Sequence, residues 1–179
     1  LERLRTMFPK IQFGPEGAKL DAHERMHLYH VRLERQYAHF SALTGNTDPN
    51  LGMPLPYEIY LFAEYAQHHD FCDRYIGGRH DKCGVQWHIQ KEMGRPYGAK
   101  PTEPEVEQKN FILFSCAESQ VQQLQGKGDG ILANHLFHNV AHLLVDGLGN
   151  YLRETPAWVE EGLGHYYERR ENGRWNNFC

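Results

Sequence analysis

Two histidines four residues apart are the first feature of this sequence that could do chemistry. His138 and His142 lie in an apolar segment, residues 130–146, whose pattern predicts a helix. Four residues of helix rise about 6 Å and place both side chains on one face, so both imidazoles can reach one metal ion. The chain has 12 histidines. Taken alone, the pair therefore favours a simpler interpretation, a half-buried helix face with hydrogen-bonded imidazoles.

A glutamate further along the chain supplies a third candidate ligand. Eighteen residues separate His142 from Glu161, and this interval contains helix breakers between residues 147 and 150. A second helix is predicted over residues 156–170, so a turn and a returning helix can bring the Glu161 carboxylate back to the histidines. Two imidazole nitrogens and one carboxylate oxygen suit Zn²⁺ and leave a fourth position open for water or substrate.

These motifs resemble those of the gluzincin metallopeptidases, in particular the bacterial peptidase-MA-like proteins. Here they read H-N-V-A-H at residues 138–142, W-V-E-E-G at residues 158–162 and Y-Y-E at residues 166–168. In the family the first motif is H-E-x-x-H, and the glutamate of a downstream W-x-x-E-G segment is the third ligand. The likeness covers most of the chain and is most specific in its last third.

The resemblance implies that His138, His142 and Glu161 hold zinc in a zincin-like domain that acts on peptides. The adjacent Glu160 points about 100° away from Glu161 on a helix, and the motif selects the residue before Gly162. A peptide or protein segment is the implied substrate or ligand.

The sequence departs from the family at Asn139. The family has glutamate there, as the base that takes a proton from the attacking water, and a carboxamide has no accessible basicity near neutral pH. Three explanations remain open: a natural pseudopeptidase, a deliberately inactivated variant, or a replacement base such as Glu160, Glu118 or His165. The asparagine favours a natural sequence, since glutamine or alanine is the more usual engineered choice.

Four neighbouring residues are assigned supporting roles. Asp146, one turn after His142, is predicted to orient that imidazole, and His165, one turn after Glu161, to orient that carboxylate. For His165 an ordinary position on the helix surface is an equal alternative. His135 is interpreted as a surface or capping residue, with a second-shell or ligand role as the alternative. Trp158 is interpreted as a core anchor of the second helix.

The remaining pattern predicts an α+β fold, a zincin-like single domain with a small mixed sheet and a metal-site helix pair. The domain is expected to span residues 1–179, with truncation at its C-terminus as an alternative. Strands are predicted over residues 10–13, 57–62, 85–89 and 111–114, and helices over residues 21–43, 63–75, 130–146 and 156–170, the third capped by Asp129.

Composition excludes some partners. The net charge is −4 with no basic stripe, so nucleic acid is not expected, and no apolar run approaches the roughly 20 residues of a membrane span. The four cysteines form no C-x-x-C pair, and their redox state, the oligomeric state and the compartment stay open. The sequence thus predicts a zinc-metallopeptidase-like protein, impaired or inactive in catalysis. The alternatives are an active peptidase with another base, or a metal-free binding or structural module.

Overall fold

The structure is a computed structural model, and it describes part of the chain. The described residues are 6, 9, 13–14, 17–18, 20–49, 51, 58–76, 84–87, 89–90, 95–96, 112–116, 129–148 and 155–173. The helices are α1 (Ala22–Thr44), α2 (Tyr65–Ile76), α3 (Gly130–Leu148) and α4 (Ala157–Asn172). The strands are β1 (Phe13–Gly14), β2 (Gly17–Ala18), β3 (Glu58–Phe62), β4 (Gly84–Trp87), β5 (Ile89–Gln90), β6 (Arg95–Pro96) and β7 (Ile112–Cys116).

Helix α1 begins at a capping box. The Asp21 side chain accepts from the Glu24 backbone N–H at 2.8 Å, and the Glu24 carboxylate accepts from the Asp21 N–H at 2.9 Å. These bonds satisfy two of the free donors at the helix start. The helix ends at Gly45, whose φ of 71° is left-handed and suits glycine.

Helix α3 supplies most of the buried core. Most of its residues are apolar, and its buried side chains belong to the same core cluster as residues of α1 and α4. Leu132, Leu136, Phe137, Ala141 and Leu143 are each no more than 1% exposed. Tyr167 of α4 and Phe40 of α1 complete the core from either side. Removing this surface from water is the main force that assembles the three helices.

Polar contacts fix α1 against the other two helices. Gln36 donates to the Phe137 carbonyl at 2.8 Å, in the buried interface with α3. Arg25 binds both carboxylate oxygens of Asp129 at 2.9–3.2 Å. Arg32 donates to the Glu171 carbonyl at 2.6 Å and so reaches α4. The Asp129 carboxylate thus pairs with Arg25 on α1, and its predicted role as the cap of α3 stays a prediction.

The predicted α+β class, zincin-like with a small mixed sheet, is wrong, because the described part of the chain is mostly helical. Of the residues described with both backbone and side chain, 77% are helical and 5% lie in a strand, which is β3 alone. The other strands have two to five residues and are described by their backbone. Their backbones pair β1 with β2, β3 in parallel with β7, β4 antiparallel to β7, and β5 with β6. Among the side chains that the structure describes, those of helices supply most of the buried core.

The positions of the individual elements follow the predictions more closely than the class does. All four helices are present, each within two residues of its predicted bounds. Residues 10–12 of the first predicted strand and Tyr57 and Phe111 of later ones lie outside the described residues. None of the described helices combines the length and apolar character that a bilayer crossing requires.

Candidate metal centre

The packing of α3 on α4 brings the three predicted ligands together. His138 and His142 lie one turn apart on α3, with ring centroids 4.5 Å apart. Glu161 of α4 approaches both: its Oε2 lies 3.2 Å from His138 Nε2, and its Oε1 lies 3.8 Å from His142 Nε2. One ligand atom from each residue therefore falls within 4.8 Å of the other two.

The imidazole nitrogens and carboxylate oxygens that face one another in this site carry lone pairs rather than protons. His138 Nδ1 lies 3.0 Å from Oε1 of Glu168, and a carboxylate can only accept, so the ring proton is assigned to Nδ1. In the neutral ring this leaves a lone pair on Nε2, pointing at Glu161. His142 Nε2 and Glu161 Oε2 are both buried from solvent and have no hydrogen-bond partner. Such a convergence of acceptors is unfavourable unless a cation or proton lies among them.

The separations fit a single zinc ion. Two ligand atoms that are each about 2 Å from zinc in tetrahedral geometry lie about 3.3 Å apart. The observed distances, 3.2 Å and 3.8 Å, lie near that value. The Glu161 side chain is 43% exposed, whereas His138 is almost fully buried. The site therefore borders solvent at the Glu161 side chain, while two of its ligand atoms, His142 Nε2 and Glu161 Oε2, are buried.

Glu168, the last residue of the Y-Y-E motif, had no predicted role, and the structure places it beside two histidines of the candidate site. It is 1% exposed and binds two imidazoles, His138 Nδ1 through Oε1 and His165 Nδ1 through Oε2, both at 3.0 Å. A buried carboxylate behind a ligand histidine fixes its tautomer and ring orientation. His165 is bound to Glu168, and its predicted role in orienting Glu161 stays a prediction. His138, His165 and Glu168 could themselves hold an ion, but their hydrogen bonds account for the arrangement without one.

The spacing of α4 contained a signal for Glu168. It follows Glu161 by seven residues, which is two helical turns, so both carboxylates lie on the same side of the helix.

Gly164 lets the His138 ring lie directly against α4. A Cβ built at this glycine would be 2.8 Å from Cε1 and Nδ1 of His138 and 2.9 Å from Cγ. A real Cβ essentially never lies this close to another heavy atom, so the His138 ring can occupy this position only because Gly164 has no side chain. Gly164 and Glu168 together cradle one imidazole, one by leaving room and the other by a hydrogen bond.

His142 is held neutral and is oriented by α4. Burial and the nearby His138 lower the pKa of His142 to about 4, while Glu161 and a hydrogen bond with the Glu160 backbone act in the opposite direction. Because Nε2 has no hydrogen-bond partner, Nδ1 is the ring atom that makes this bond. At pH 7 the His142 Nε2 lone pair is therefore available to a metal ion.

Asn139 stands where the gluzincin motif has its base, and its side chain hydrogen-bonds a residue of its own helix. Its Nδ2 donates to the His135 carbonyl at 2.7 Å and lies 3.2 Å from His135 Nδ1. His135, interpreted from the sequence as a surface or capping residue, is half-buried. Its Nε2 is buried, and burial lowers its pKa to about 4. Neither residue supplies a base of near-neutral pKa beside the predicted ligands.

Asp146 forms a carboxyl pair with Glu160. Burial, the Glu160 charge and a side-chain hydrogen bond to Glu160 together raise the pKa of Asp146 from its ordinary 3.8 to about 7. Below that pH a protonated Asp146 can share its proton with the Glu160 carboxylate across the α3–α4 interface. The predicted role of Asp146 in orienting His142 stays a prediction, since the structure gives it this other partner.

We expect Asp146→Asn to raise the free energy of unfolding, relative to the native protein, by more at pH 8 than at pH 5. The folded pKa of about 7 exceeds the ordinary 3.8, so the folded chain binds more protons in this range and the native protein loses stability with rising pH. Asparagine keeps a donor to Glu160 at every pH. Urea unfolding at pH 5 and pH 8 in zinc-free buffer measures the difference, and Glu160→Gln should change stability in the same direction. An equal difference at both pH values would show that the pair does not share a proton.

Trp158 does not anchor the core. It is 78% exposed on the first turn of α4, so the prediction that it docks this helix is wrong. Leu163 and Tyr167 pack against the core instead.

A cavity of about 500 Å³ lies between α1, β3 and α3. Its walls are largely apolar, with Met26, Leu33, Ile59 and Leu136 among them, and the three predicted metal ligands are not part of its lining. A small molecule bound against these walls would therefore not touch His138, His142 or Glu161.

Comparison of the chain with protein-family models, with curated proteins and with solved structures gives no significant match. The candidate function therefore rests on the motifs and on the geometry of the site.

Proposed function

We propose that the protein is a metallopeptidase-like zinc protein that binds a peptide or protein segment and hydrolyses it poorly or not at all. The observation that carries the metal assignment is the convergence of His138 Nε2, His142 Nε2 and Glu161 Oε2, two of which are buried without a hydrogen-bond partner. The peptide ligand and the metallopeptidase class rest on the motif resemblance.

The residues of this chain prepare the site before any ligand arrives. Glu168 holds His138 with Nε2 toward Glu161, and the Glu160 backbone holds His142 in the matching orientation. A bound zinc ion would supply a Lewis acid able to polarise a carbonyl group. With His138 buried and Glu161 partly exposed, a ligand would approach from the α4 side.

Weak or absent hydrolysis follows from the lack of a suitable base among the residues that the structure describes. Asn139 cannot take a proton from water near neutral pH. Of the replacement bases considered, Glu160 hydrogen-bonds Asp146 and His165 hydrogen-bonds Glu168, while Glu118 lies outside the described residues. General acid–base help is typically worth 10²–10⁴-fold in rate, so its loss makes hydrolysis slow even with zinc bound.

Zinc stoichiometry tests the metal assignment directly. We expect one zinc per native chain, placed between His138 and Glu161 in an anomalous-scattering map. Excess zinc at 100 times its Kd should raise the free energy of unfolding by about 2.7 kcal/mol. His142→Ala should abolish both effects, and the exposed control His69→Ala should change neither.

A native protein that binds no stoichiometric zinc, and whose stability His142→Ala leaves unchanged, would establish the metal-free module instead. A zinc-loaded native protein that cleaves peptides in a diverse library would establish an active peptidase with another base.

A further inference from the structure

His165 is linked to the candidate metal centre through the carboxylate of Glu168. Its Nδ1 lies 3.0 Å from Glu168 Oε2, and the other oxygen of that carboxylate, Oε1, lies 3.0 Å from His138 Nδ1. A carboxylate can only accept, so both Nδ1 atoms are assigned protons and each oxygen receives one imidazole N–H. Two hydrogen bonds in series therefore connect His165 to a predicted metal ligand.

The hydrogen bond from His165 fixes the plane of the Glu168 carboxylate. The last torsion of a glutamate side chain is broad and roughly two-fold, so one hydrogen bond to one oxygen leaves this plane free to turn. A donor on each oxygen removes that freedom. His165 and Glu168 are three residues apart on α4, so the turn of the helix sets their relation. The acceptor for His138 is thus prepared within α4 itself.

The His165 ring also limits how far the His138 ring can tilt. The two ring centroids are 5.1 Å apart and the rings stand edge to face at 77°. The Glu168 side chain is 1% exposed and that of His165 is 32% exposed, so the carboxylate depends on protein donors in place of water. Removing a donor from a buried charged group is more costly than removing one from a neutral group.

We propose that His165 is a positioning residue of the zinc site, which acts through Glu168 to aim His138 Nε2 at the metal ion. The inference rests on the proposed function, because it takes His138 as a zinc ligand. His138 Nε2 lies 3.2 Å from Glu161 Oε2, and a rotation of the imidazole would carry the nitrogen away from that point. Groups that orient a metal ligand typically contribute about 10–100-fold to metal affinity.

Two substitutions separate the donor of His165 from the volume of its ring. His165→Asn keeps an N–H on the nitrogen bonded to Cγ, where the imidazole has Nδ1–H, and should retain the native zinc affinity. His165→Leu has no donor and should weaken zinc binding by about 10–100-fold. The matched control is His30→Leu, at an exposed histidine on α1, which should bind zinc as the native protein does. Competition with a chelator measures the affinities, and far-UV circular dichroism of the metal-free variants checks that each is folded.

A double-mutant cycle tests whether the effect passes through Glu168. Glu168→Gln should weaken zinc binding by itself, and His165→Leu added to it should weaken binding little further, because the two residues act as one unit. Additive losses would overturn the proposal, since His165 would then act on the ion or on Glu161. Native affinity in His165→Leu, or equal losses in His165→Leu and His165→Asn, would overturn it as well.

Nitrogen NMR shifts of the His138 ring in metal-free protein keep this test separate from that of the proposed function. We expect the native protein to hold His138 with its proton on Nδ1, and His165→Leu to populate the Nε2–H tautomer as well. A native protein that binds no zinc would refute the zinc site, while the ring shifts would still show whether His165 orients His138. An unchanged His138 tautomer in His165→Leu would overturn the present inference whatever the zinc affinities are.

Discussion

Asn139→Glu is expected to raise peptide hydrolysis by the zinc-loaded protein by roughly 10²–10⁴-fold, the usual contribution of a general acid–base group. The native amide donates to the His135 carbonyl at 2.7 Å, an interaction that a carboxylate cannot make. The glutamate is therefore released from that position and has one more methylene with which to reach toward the ligand cluster. Its carboxylate would restore a proton acceptor one residue after His138.

The measurement is the initial rate of cleavage of a mixed peptide library by native protein and variant at equal zinc occupancy. Asn139→Gln is the matched control, because it has the length of glutamate without its basicity and should stay at the native rate. If the native chain already cleaves peptides and Asn139→Glu is no faster, the interpretation as a pseudopeptidase is wrong. Equal gains in both variants would attribute the effect to side-chain length rather than to proton transfer.

Gly164→Ala is expected to weaken zinc binding by about 10–100-fold, the range found when groups that orient a metal ligand are altered. The new methyl group would lie 2.8 Å from the His138 ring, so the imidazole must move. Such a shift disturbs the Glu168 hydrogen bond and the approach to Glu161 together. Overpacking of this kind also costs about 1–3 kcal/mol of stability.

Gly162→Ala is the matched control for this substitution. Gly162 lies on the same helix, is exposed, and a Cβ there meets nothing within 4 Å. Both alanines gain the same helix propensity, about 1 kcal/mol over glycine, so the difference between the variants isolates the contact with His138. Zinc titration calorimetry and urea unfolding measure the two effects. Equal zinc affinities in Gly162→Ala and Gly164→Ala would refute the cradle around His138.

The helices were predictable because their signals are local. Asp21 with Glu24 three residues later marks the start of α1, and Gly45 marks its end, so the printed sequence contains both boundaries. Helix α3 was predictable from local sequence as well, since its apolar residues repeat with the helical period over its whole length. These signals act between residues within a few positions of each other.

The fold class was not predictable in the same way. The apolar runs at residues 57–62 and 111–114 do correspond to strands β3 and β7. A short run, however, does not show how large a sheet it joins or whether that sheet builds the core. In this protein Leu132, Phe137 and Tyr167, all helical, occupy the most buried positions.

The sequence by itself identified the candidate metal ligands, through the one-turn spacing of His138 and His142 and the glutamate at position 161. It also showed that Asn139 stands where a base is expected. Only the tertiary structure decided how they are supported. It gave Glu168 to both His138 and His165, paired Asp146 with Glu160, and left Trp158 in solvent. The reason is physical. Spacing along one helix is set by covalent geometry, whereas partners across α3 and α4 depend on how two helices pack, which many distant side chains settle together.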